Sequence, residues 1–267
     1  MVIDEDQERS TTRLTEDMTI GSLRPCGHTL TVFWVPTVKF YENRLQPLVR
    51  LEDEGSLLSF QVTPQSVGAR LAGIELSMDS KSLKIFSAGP LGGDACASLL
   101  RSVLDAVQPK SYRSVGVALQ YVVPLADTSY DDARLKGLQT FADTDFQSVG
   151  ANDFAVIVSG EKPGMRWNVE AGIIEKSEIP GRMLRQAGGF RGVMPGSDVL
   201  LESVGDPEVA FFADSYWVIQ DSQKDADAAT WILDKILMVE EQADLVVPQV
   251  FQAITHQSPV AQEGAGS

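Results

Sequence analysis

Cysteine and histidine are scarce in this chain, and their scarcity restricts its chemistry. The 267 residues include two cysteines, Cys26 and Cys96, and two histidines, His28 and His256. Two cysteines do not make a disulfide framework, so we expect a reducing compartment, the cytoplasm. The sequence does not decide whether Cys26 and Cys96 form a single bridge. Cys26 and His28 offer two ligands at close spacing, but a tetrahedral zinc site needs a second pair. The sequence therefore predicts no bound metal.

Basic residues are few relative to acidic ones. The chain has 22 lysines and arginines against 37 aspartates and glutamates, which gives a net charge of -15. Such a field repels phosphate backbones, whereas nonspecific nucleic-acid binding depends on lysine and arginine. Arg182, Arg185 and Arg191 form a loose cluster, which we interpret as solvated loop charges. A nucleic-acid partner is therefore not expected.

A long apolar run is missing from the start of the chain. The longest one there, residues 30–38, is interrupted by Pro36 and is far shorter than the ~20 residues of a membrane helix. Residues 1–22 are polar and acidic, and they lack the basic region and the apolar core of a signal peptide. We therefore expect flexible tails at residues 1–22 and 257–267, and neither membrane insertion nor secretion.

Catalytic and cofactor motifs are missing as well. The glycine pairs at residues 92–93 and 188–189 lack the spacing and the following lysine of phosphate-binding loops. No Gly-x-Ser-x-Gly motif occurs, and Cys96 lies on the apolar face of a predicted helix. Glu170 and Glu175 are five residues apart on a predicted strand, so they lie on opposite faces. We therefore expect no catalytic residue and no cofactor.

The residues that are present indicate an α+β protein with mainly antiparallel sheet. Apolar and β-branched runs predict strands, with glycine, proline and aspartate between them. Residues 95–107 carry apolar side chains at i, i+3, i+4 and i+7, which predicts a mid-chain helix with Asp94 as its N-cap. The strands predicted in the first half cover residues 29–35, 56–62, 70–76, 82–86 and 113–123, and residues 52–55 form a turn.

The second half repeats this mixture of elements. Strands come in runs rather than in alternation with helices, which favours antiparallel α+β over a doubly wound nucleotide fold. We predict one domain over residues 23–256, whose order of elements permits two similar halves at about 29–124 and 127–256. The predicted elements are a helix at 131–141, strands at 154–158, 166–174 and 209–219, and a long C-terminal amphipathic helix at 226–243 that Pro248 ends or kinks.

Three phrases carry a family resemblance across residues 30–256. They are Val117-Ala-Leu-Gln-Tyr121, Phe212-Ala-Asp-Ser-Tyr216 and Phe251-Gln-Ala-Ile-Thr255. In this order of segments the chain resembles a sporadically distributed prokaryotic family of uncharacterised α+β proteins, in which an arginine usually stands at the position of Gln120. The resemblance implies a prokaryotic or phage origin, and the patchy distribution of the family fits accessory or defence-linked genes. It implies no activity.

The C-terminal helix carries more apolar residues than one narrow stripe needs. Excess apolar surface packs on a partner or on a second copy, and the alternative is burial on the chain's own sheet. We therefore expect a non-enzymatic protein-interaction or assembly protein, with a protein partner or self-association. The candidate interaction surface consists of Trp231, Leu233, Ile236, Leu237, Val246 and Phe251.

The alternative hypothesis is a small-ligand-binding protein or an enzyme. Residues 177–206 are rich in glycine and follow no regular period, and long stretches of this kind are often functional. In this interpretation they form a lid over the second-half sheet. The ligand site then lies near Arg166, Trp167 and Glu170.

Overall fold

The computed structural model describes residues 23, 25–125, 128–141, 155–178, 207–220 and 227–255. These residues form one nine-stranded antiparallel sheet and five helices, so the predicted α+β class, the mid-chain helix and the long C-terminal helix are confirmed. The predicted tails at 1–22 and 257–267 and nearly all of the predicted lid at 177–206 lie outside the described residues.

The strands and helices occur in mixed order along the chain. The strands are β1 (Gly27–Trp34), β2 (Ser59–Val62), β3 (Ser66–Leu71), β4 (Ile74–Asp79), β5 (Ser82–Ser87), β6 (Tyr112–Pro124), β7 (Ala155–Lys162), β8 (Met165–Glu175) and β9 (Val209–Ile219). The helices are α1 (Lys39–Asn43), α2 (Gln46–Asp53), α3 (Asp94–Val107), α4 (Tyr130–Phe141) and α5 (Ala228–Thr255).

Strand β6 lies in the interior of the sheet. The strand order is β2-β3-β4-β5-β1-β6-β9-β8-β7, and each neighbouring pair is antiparallel. β6 is 13 residues long and pairs with β1 on one side and with β9 on the other. Strands from the first and second halves of the chain therefore belong to one sheet.

One face of the sheet is covered by helices. Val115, Val117, Leu119 and Tyr121 alternate along β6 and are all buried, as the period of a strand predicts. Residues of α3 and α5 belong to the same core, and Phe251 of α5 packs edge-to-face on a phenylalanine of β9, with ring centroids 4.9 Å apart. Each large apolar side chain fully buried here stabilises the fold by about 1.5–3 kcal/mol.

The chain between β1 and β2 differs from the sequence prediction. α1 and α2 form a short helical pair over residues 39–53 that we did not predict. The turn predicted at residues 52–55 is present at 54–55, where Gly55 has a φ of 66°. Phe40 of α1 and Leu48 and Leu51 of α2 are buried, and both helices contact α3. Helices of 5 and 8 residues are too short to show a clear 3.6-residue period, which explains why the pattern missed them.

Two local predictions in the first half are wrong. The single strand predicted at residues 70–76 is divided by the turn of the β3–β4 hairpin: residues 70–71 end β3, residues 74–76 begin β4, and Gly73 between them has a φ of 70°. A positive φ is readily adopted by glycine and not by the apolar residues around it. Asp94 is not the N-cap of α3. Gly93 occupies that position, and Asp94 lies in the first turn, where its charge favours the helix dipole.

The C-terminal helix begins after Asp227. The Asp227 carboxylate accepts hydrogen bonds from the backbone N–H of Thr230 (3.0 Å) and from its hydroxyl (2.6 Å), which is the geometry of an N-cap. The sequence predicted that Pro248 ends or kinks the helix. Pro248 does not end it, because α5 continues through this residue to Thr255.

Two glycines of the sheet permit close aromatic packing on opposite faces, and they make a matched pair. A Cβ at Gly160 would overlap the indole of Trp167, which is stacked on the buried Trp217 with centroids 5.4 Å apart. A Cβ at Gly116 would lie 3.1 Å from the hydroxyl of Tyr216, a half-exposed side chain.

We therefore expect Gly160→Ala to lower the free energy of unfolding by about 1–3 kcal/mol, because the stacked indole has no room to move. Gly116→Ala should change it by less than about 1 kcal/mol, since the tip of Tyr216 can swing aside. Urea unfolding followed by tryptophan fluorescence measures both. Equal losses in the two variants would contradict this account of the Trp167 packing.

Candidate functional site

The face of the sheet opposite the helices carries an open groove. Its volume is about 650 Å³, and it is lined by side chains from β1, β3, β4, β5, β6, β8 and β9. The groove crosses the sheet rather than following one strand. Hydroxyl, amide and carboxylate groups form most of the lining, together with Lys84, Phe33 and Tyr216. We call this feature the sheet groove.

The sheet register places four groove residues in one row across four strands. Thr29 of β1 faces Ala118 of β6, Ala118 faces Tyr216 of β9, and Tyr216 faces Asn168 of β8. Directly opposed residues in antiparallel strands have Cβ atoms about 4.5–5.5 Å apart. The row therefore forms a continuous surface in which the small Ala118 lies between the threonine hydroxyl and the tyrosine ring.

The hydroxyl of Thr29 lies at the floor of the sheet groove without a hydrogen-bond partner. Thr29 is 5% exposed, and its Oγ1 atom is buried. A buried hydroxyl without a partner costs about 1–3 kcal/mol. The fold therefore tolerates an unsatisfied polar atom at the centre of its open face.

Acidic side chains lie at one end of the sheet groove. Asp214 of β9 faces Glu170 of β8 and Gln120 of β6, and Gln120 donates from Nε2 to Asp214 Oδ1 at 3.2 Å. Asp214 is thus oriented by a buried amide on the neighbouring strand. Beyond this end, Phe86, Val122, Ile174, Ala210 and Phe212 form a separate buried apolar cluster.

Lys84 of β5 is the cationic side chain among the groove-lining residues. It faces Ser77 of β4 and Thr31 of β1, and burial lowers the pKa of its ammonium group. The groove lining also contains Asp79, Glu170 and Asp214. Three carboxylates against one ammonium group, on a chain of net charge -15, make the sheet groove unfavourable for anions.

The ligand site expected from the sequence is only partly assembled. Glu170 lines the sheet groove, whereas Trp167 points to the helix-covered face and stacks on Trp217. Arg166 is exposed and lies 3.5 Å from Glu161 in an ion pair at the protein surface. Trp167 is separated from Glu170 because it lies on the opposite face of β8, whereas Arg166 shares the face of Glu170 but lies four residues, or about 13 Å, along the strand.

The interaction surface predicted on the C-terminal helix is largely turned toward the sheet. Ile236 and Phe251 are fully buried, and Leu237 is half-exposed. Trp231, Leu233 and Val246 are partly buried and pack against the core. Lys235 lies over the Trp231 ring, 5.8 Å from its centroid. That a partner binds this predicted interaction surface stays a prediction. Leu237 is its most exposed residue.

A second exposed apolar surface was not predicted from the sequence. Leu58, Phe60 and Val62 precede or belong to β2, the last strand at one edge of the sheet, and all three are exposed. Residues 56–69 contain no charged side chain, although 22% of the chain is charged. This uncharged interval is the signal that the sequence carried. We call Leu58, Phe60 and Val62 the β2 edge surface.

The two cysteines are free thiols, so the bridge left open by the sequence is not formed. Burial raises the pKa of Cys26 to about 12 and also raises the pKa of Cys96. Both therefore remain protonated at neutral pH, and neither is an activated nucleophile. Cys96 lies among core residues of α3, as its position on the apolar face predicts.

His28 is buried on the helix-covered face of β1. Ser87 of β5 lies directly opposite it, and the Nδ1 atom of His28 has no hydrogen-bond partner. Burial lowers the pKa of His28 to about 4, partly offset by a hydrogen bond with the Ser87 backbone. The imidazole is therefore neutral in the folded protein at pH 7, and protonation opposes folding.

Within the described part of the chain, no three His, Cys, Asp or Glu residues are grouped so as to hold a metal ion. No helix among the described residues is long and apolar enough to cross a membrane.

We expect the acid sensitivity of the fold to depend on His28. The pKa of His28 in the folded protein, about 4, lies below the ordinary value of about 6.5. His28 therefore does not lower the free energy of unfolding above about pH 6.5, and it lowers that free energy increasingly as the pH falls toward 4. Between pH 7 and pH 5 this loss is about 2 kcal/mol.

The comparison uses His28→Leu, unfolded in urea at both pH values. Burial raises the pKa of Glu75, Glu240 and Asp244, and these groups act in the opposite direction because their protonation favours the folded state. They are present in both proteins, so the difference between the two pH dependences isolates His28. Identical pH dependences would exclude its role.

Comparison with known proteins yields no match, either to a protein-family model or to a curated protein.

Proposed function

We propose that the chain is a non-enzymatic assembly protein that associates with a second copy of itself through the β2 edge surface. Leu58 and Phe60 are 65% and 61% exposed. Phe60 lies opposite the buried Ala69 of β3, on the side of the sheet that elsewhere forms the core. Natural edge strands are usually protected by charged residues, by proline or by a covering element. An exposed, uncharged, apolar edge is the observation that supports pairing with another strand.

The backbone of β2 is oriented for such pairing. The Thr63 N–H donates to the Ser66 carbonyl at 2.9 Å, next to the turn that joins β2 and β3. Residues of an antiparallel pair alternate between hydrogen-bonded and non-hydrogen-bonded positions. The backbone groups of Ser59 and Gln61 therefore point to β3, and those of Phe60 and Val62 point away from the sheet.

A second copy can use the same edge about a two-fold axis. With the axis at Gln61, Phe60 pairs with Val62 of the second copy and Val62 pairs with its Phe60. The arrangement forms about four backbone hydrogen bonds and brings the apolar side chains of both strands to one face. It is isologous, as a closed dimer requires.

Charge favours a second copy over a basic partner at this edge. Two copies of net charge -15 repel each other over most of their surfaces. Residues 56–69 are where this repulsion is weakest, because they carry no charge. A basic partner would instead gain most from the acidic surfaces elsewhere on the chain.

The opposite edge of the sheet is better protected. Val156 and Val158 of β7 pack against the core, and Lys162 at the end of this strand bonds to Gln242 of α5. Ile157 is exposed, but it points to the open face rather than to the helix-covered one. β2 is therefore the edge that we propose for assembly.

We also propose that the protein is cytoplasmic. Its proposed origin is prokaryotic or phage, with a link to accessory or defence genes. The free thiols of Cys26 and Cys96 are compatible with a reducing compartment.

We expect the wild-type protein to form a dimer that strengthens with ionic strength. Salt screens the repulsion between the two acidic copies, whereas the apolar and backbone contacts at β2 are not weakened by screening. Sedimentation equilibrium at about 0.05 and 0.5 M salt gives the dissociation constants.

Phe60→Lys should shift the protein to monomer, because a lysine charges the edge strand. Ile157→Lys is the matched control, a similar change at the other edge, where residue 157 is also exposed, and it should leave the dimer intact. A wild-type monomer under all of these conditions, or equal effects of the two lysines, would reject the proposal.

A further inference from the structure

We infer that the sheet groove is a binding site for a neutral polyhydroxylated ligand of the carbohydrate class. The groove lies on the open face, away from the β2 edge surface, so this inference does not depend on the proposed assembly. Its support comes from the shape of the groove, its charge, its hydrogen-bonding groups and its aromatic rings.

The shape of the sheet groove suits an extended ligand. Its lining runs from β3 through β4, β5, β1, β6 and β9 to β8. Neighbouring strands are about 4.8 Å apart, so these six steps span roughly 29 Å. The floor is low at Ala118, the smallest of the groove-lining side chains. A chain of several sugar rings lies along such a floor more readily than one compact metabolite.

The charge of the sheet groove excludes anions and disfavours organic cations. Anions meet Asp79, Glu170 and Asp214. A polyamine or other organic cation meets the ammonium group of Lys84 near the middle of the lining, and Asp214 is already engaged by Gln120. A neutral ligand avoids both conflicts.

The hydrogen-bonding groups of the groove suit a ligand that is rich in hydroxyls. Carboxylates accept from hydroxyl groups, an ammonium group donates to them, and threonine and serine do both. The lining supplies all three kinds of group. The buried Thr29 hydroxyl adds an independent observation, because a ligand hydroxyl seated over Ala118 would supply the hydrogen bond that the fold leaves unmade.

Two aromatic side chains give the groove an apolar platform. Tyr216 is 42% exposed, with its hydroxyl over Gly116, and Phe33 is also about half-exposed. Exposed aromatic rings present a large rigid area with little rotamer entropy to lose. The C–H face of a sugar ring packs on such a surface while its hydroxyls reach the polar lining. Because the Thr29 Oγ1 atom is buried, a ligand hydroxyl reaches it only when a neighbouring side chain moves.

The test measures binding of the full chain to three kinds of probe by isothermal titration calorimetry. The probes are linear neutral oligosaccharides built of glucose, xylose or N-acetylglucosamine, then spermine, and then glucose 6-phosphate. We expect one neutral oligosaccharide series to bind, more tightly as it lengthens, and the other probes not to bind. Binding of spermine or of the phosphate alone, or of no probe, would overturn the inference.

One groove variant and two controls locate the site. Tyr216→Ala should weaken binding at least about fivefold, through loss of the ring contact. Tyr41→Ala, which removes a similarly exposed ring on the helical side, should leave binding unchanged, as should Phe60→Lys. Equal losses in Tyr216→Ala and Tyr41→Ala would place the site elsewhere.

Thr29→Val separates a binding role from a packing defect. The substitution removes a buried hydroxyl without a partner, so it should keep or raise the melting temperature. The inference expects the same variant to bind the oligosaccharide about tenfold more weakly. A raised melting temperature with unchanged affinity would show that the hydroxyl has no part in binding.

Discussion

Alternation along β6 is the constraint on which both faces of the molecule depend. Val115, Val117, Leu119 and Tyr121 point to the helices, while the intervening Gly116, Ala118 and Gln120 point to the open face, and all seven residues are buried. A slip of one residue would exchange the two sets. The small size of Ala118 lowers the floor of the sheet groove, and Gly116 makes room for the Tyr216 ring, so the same strand builds the core and the candidate site.

Periodic elements could be predicted from the sequence, and short or strongly turned ones could not. The apolar faces of α3 and β6 are visible because each extends over several repeats of its own period. α1 and α2 are too short to repeat, and Gly73 divides two strands without a break in apolar character. The apolar excess of α5 was visible too, but most of it, such as Ile236 and Phe251, covers the sheet.

The sheet groove could not be predicted because its residues are neighbours only through strand order. Thr29, Ala118, Asn168 and Tyr216 come from four strands, and they share a row because β6 and β9 lie between β1 and β8. Hairpin patterns link consecutive strands, but they do not place β1 between β5 and β6. Glu170, one of the three ligand residues hypothesised from the sequence, lines the groove, whereas Arg166 and Trp167 lie outside it.

The strand pairing proposed at β2 and the ligand binding inferred for the groove would use separate surfaces, and their geometry would couple them. A two-fold axis perpendicular to the sheet at Gln61 keeps the open faces of both copies on the same side. Two grooves then face the same direction on one continuous sheet. A polymeric ligand that reaches both would bind more tightly than to either copy alone, because the second contact becomes intramolecular. Weak single-groove affinity is thus compatible with strong capture of a long carbohydrate chain.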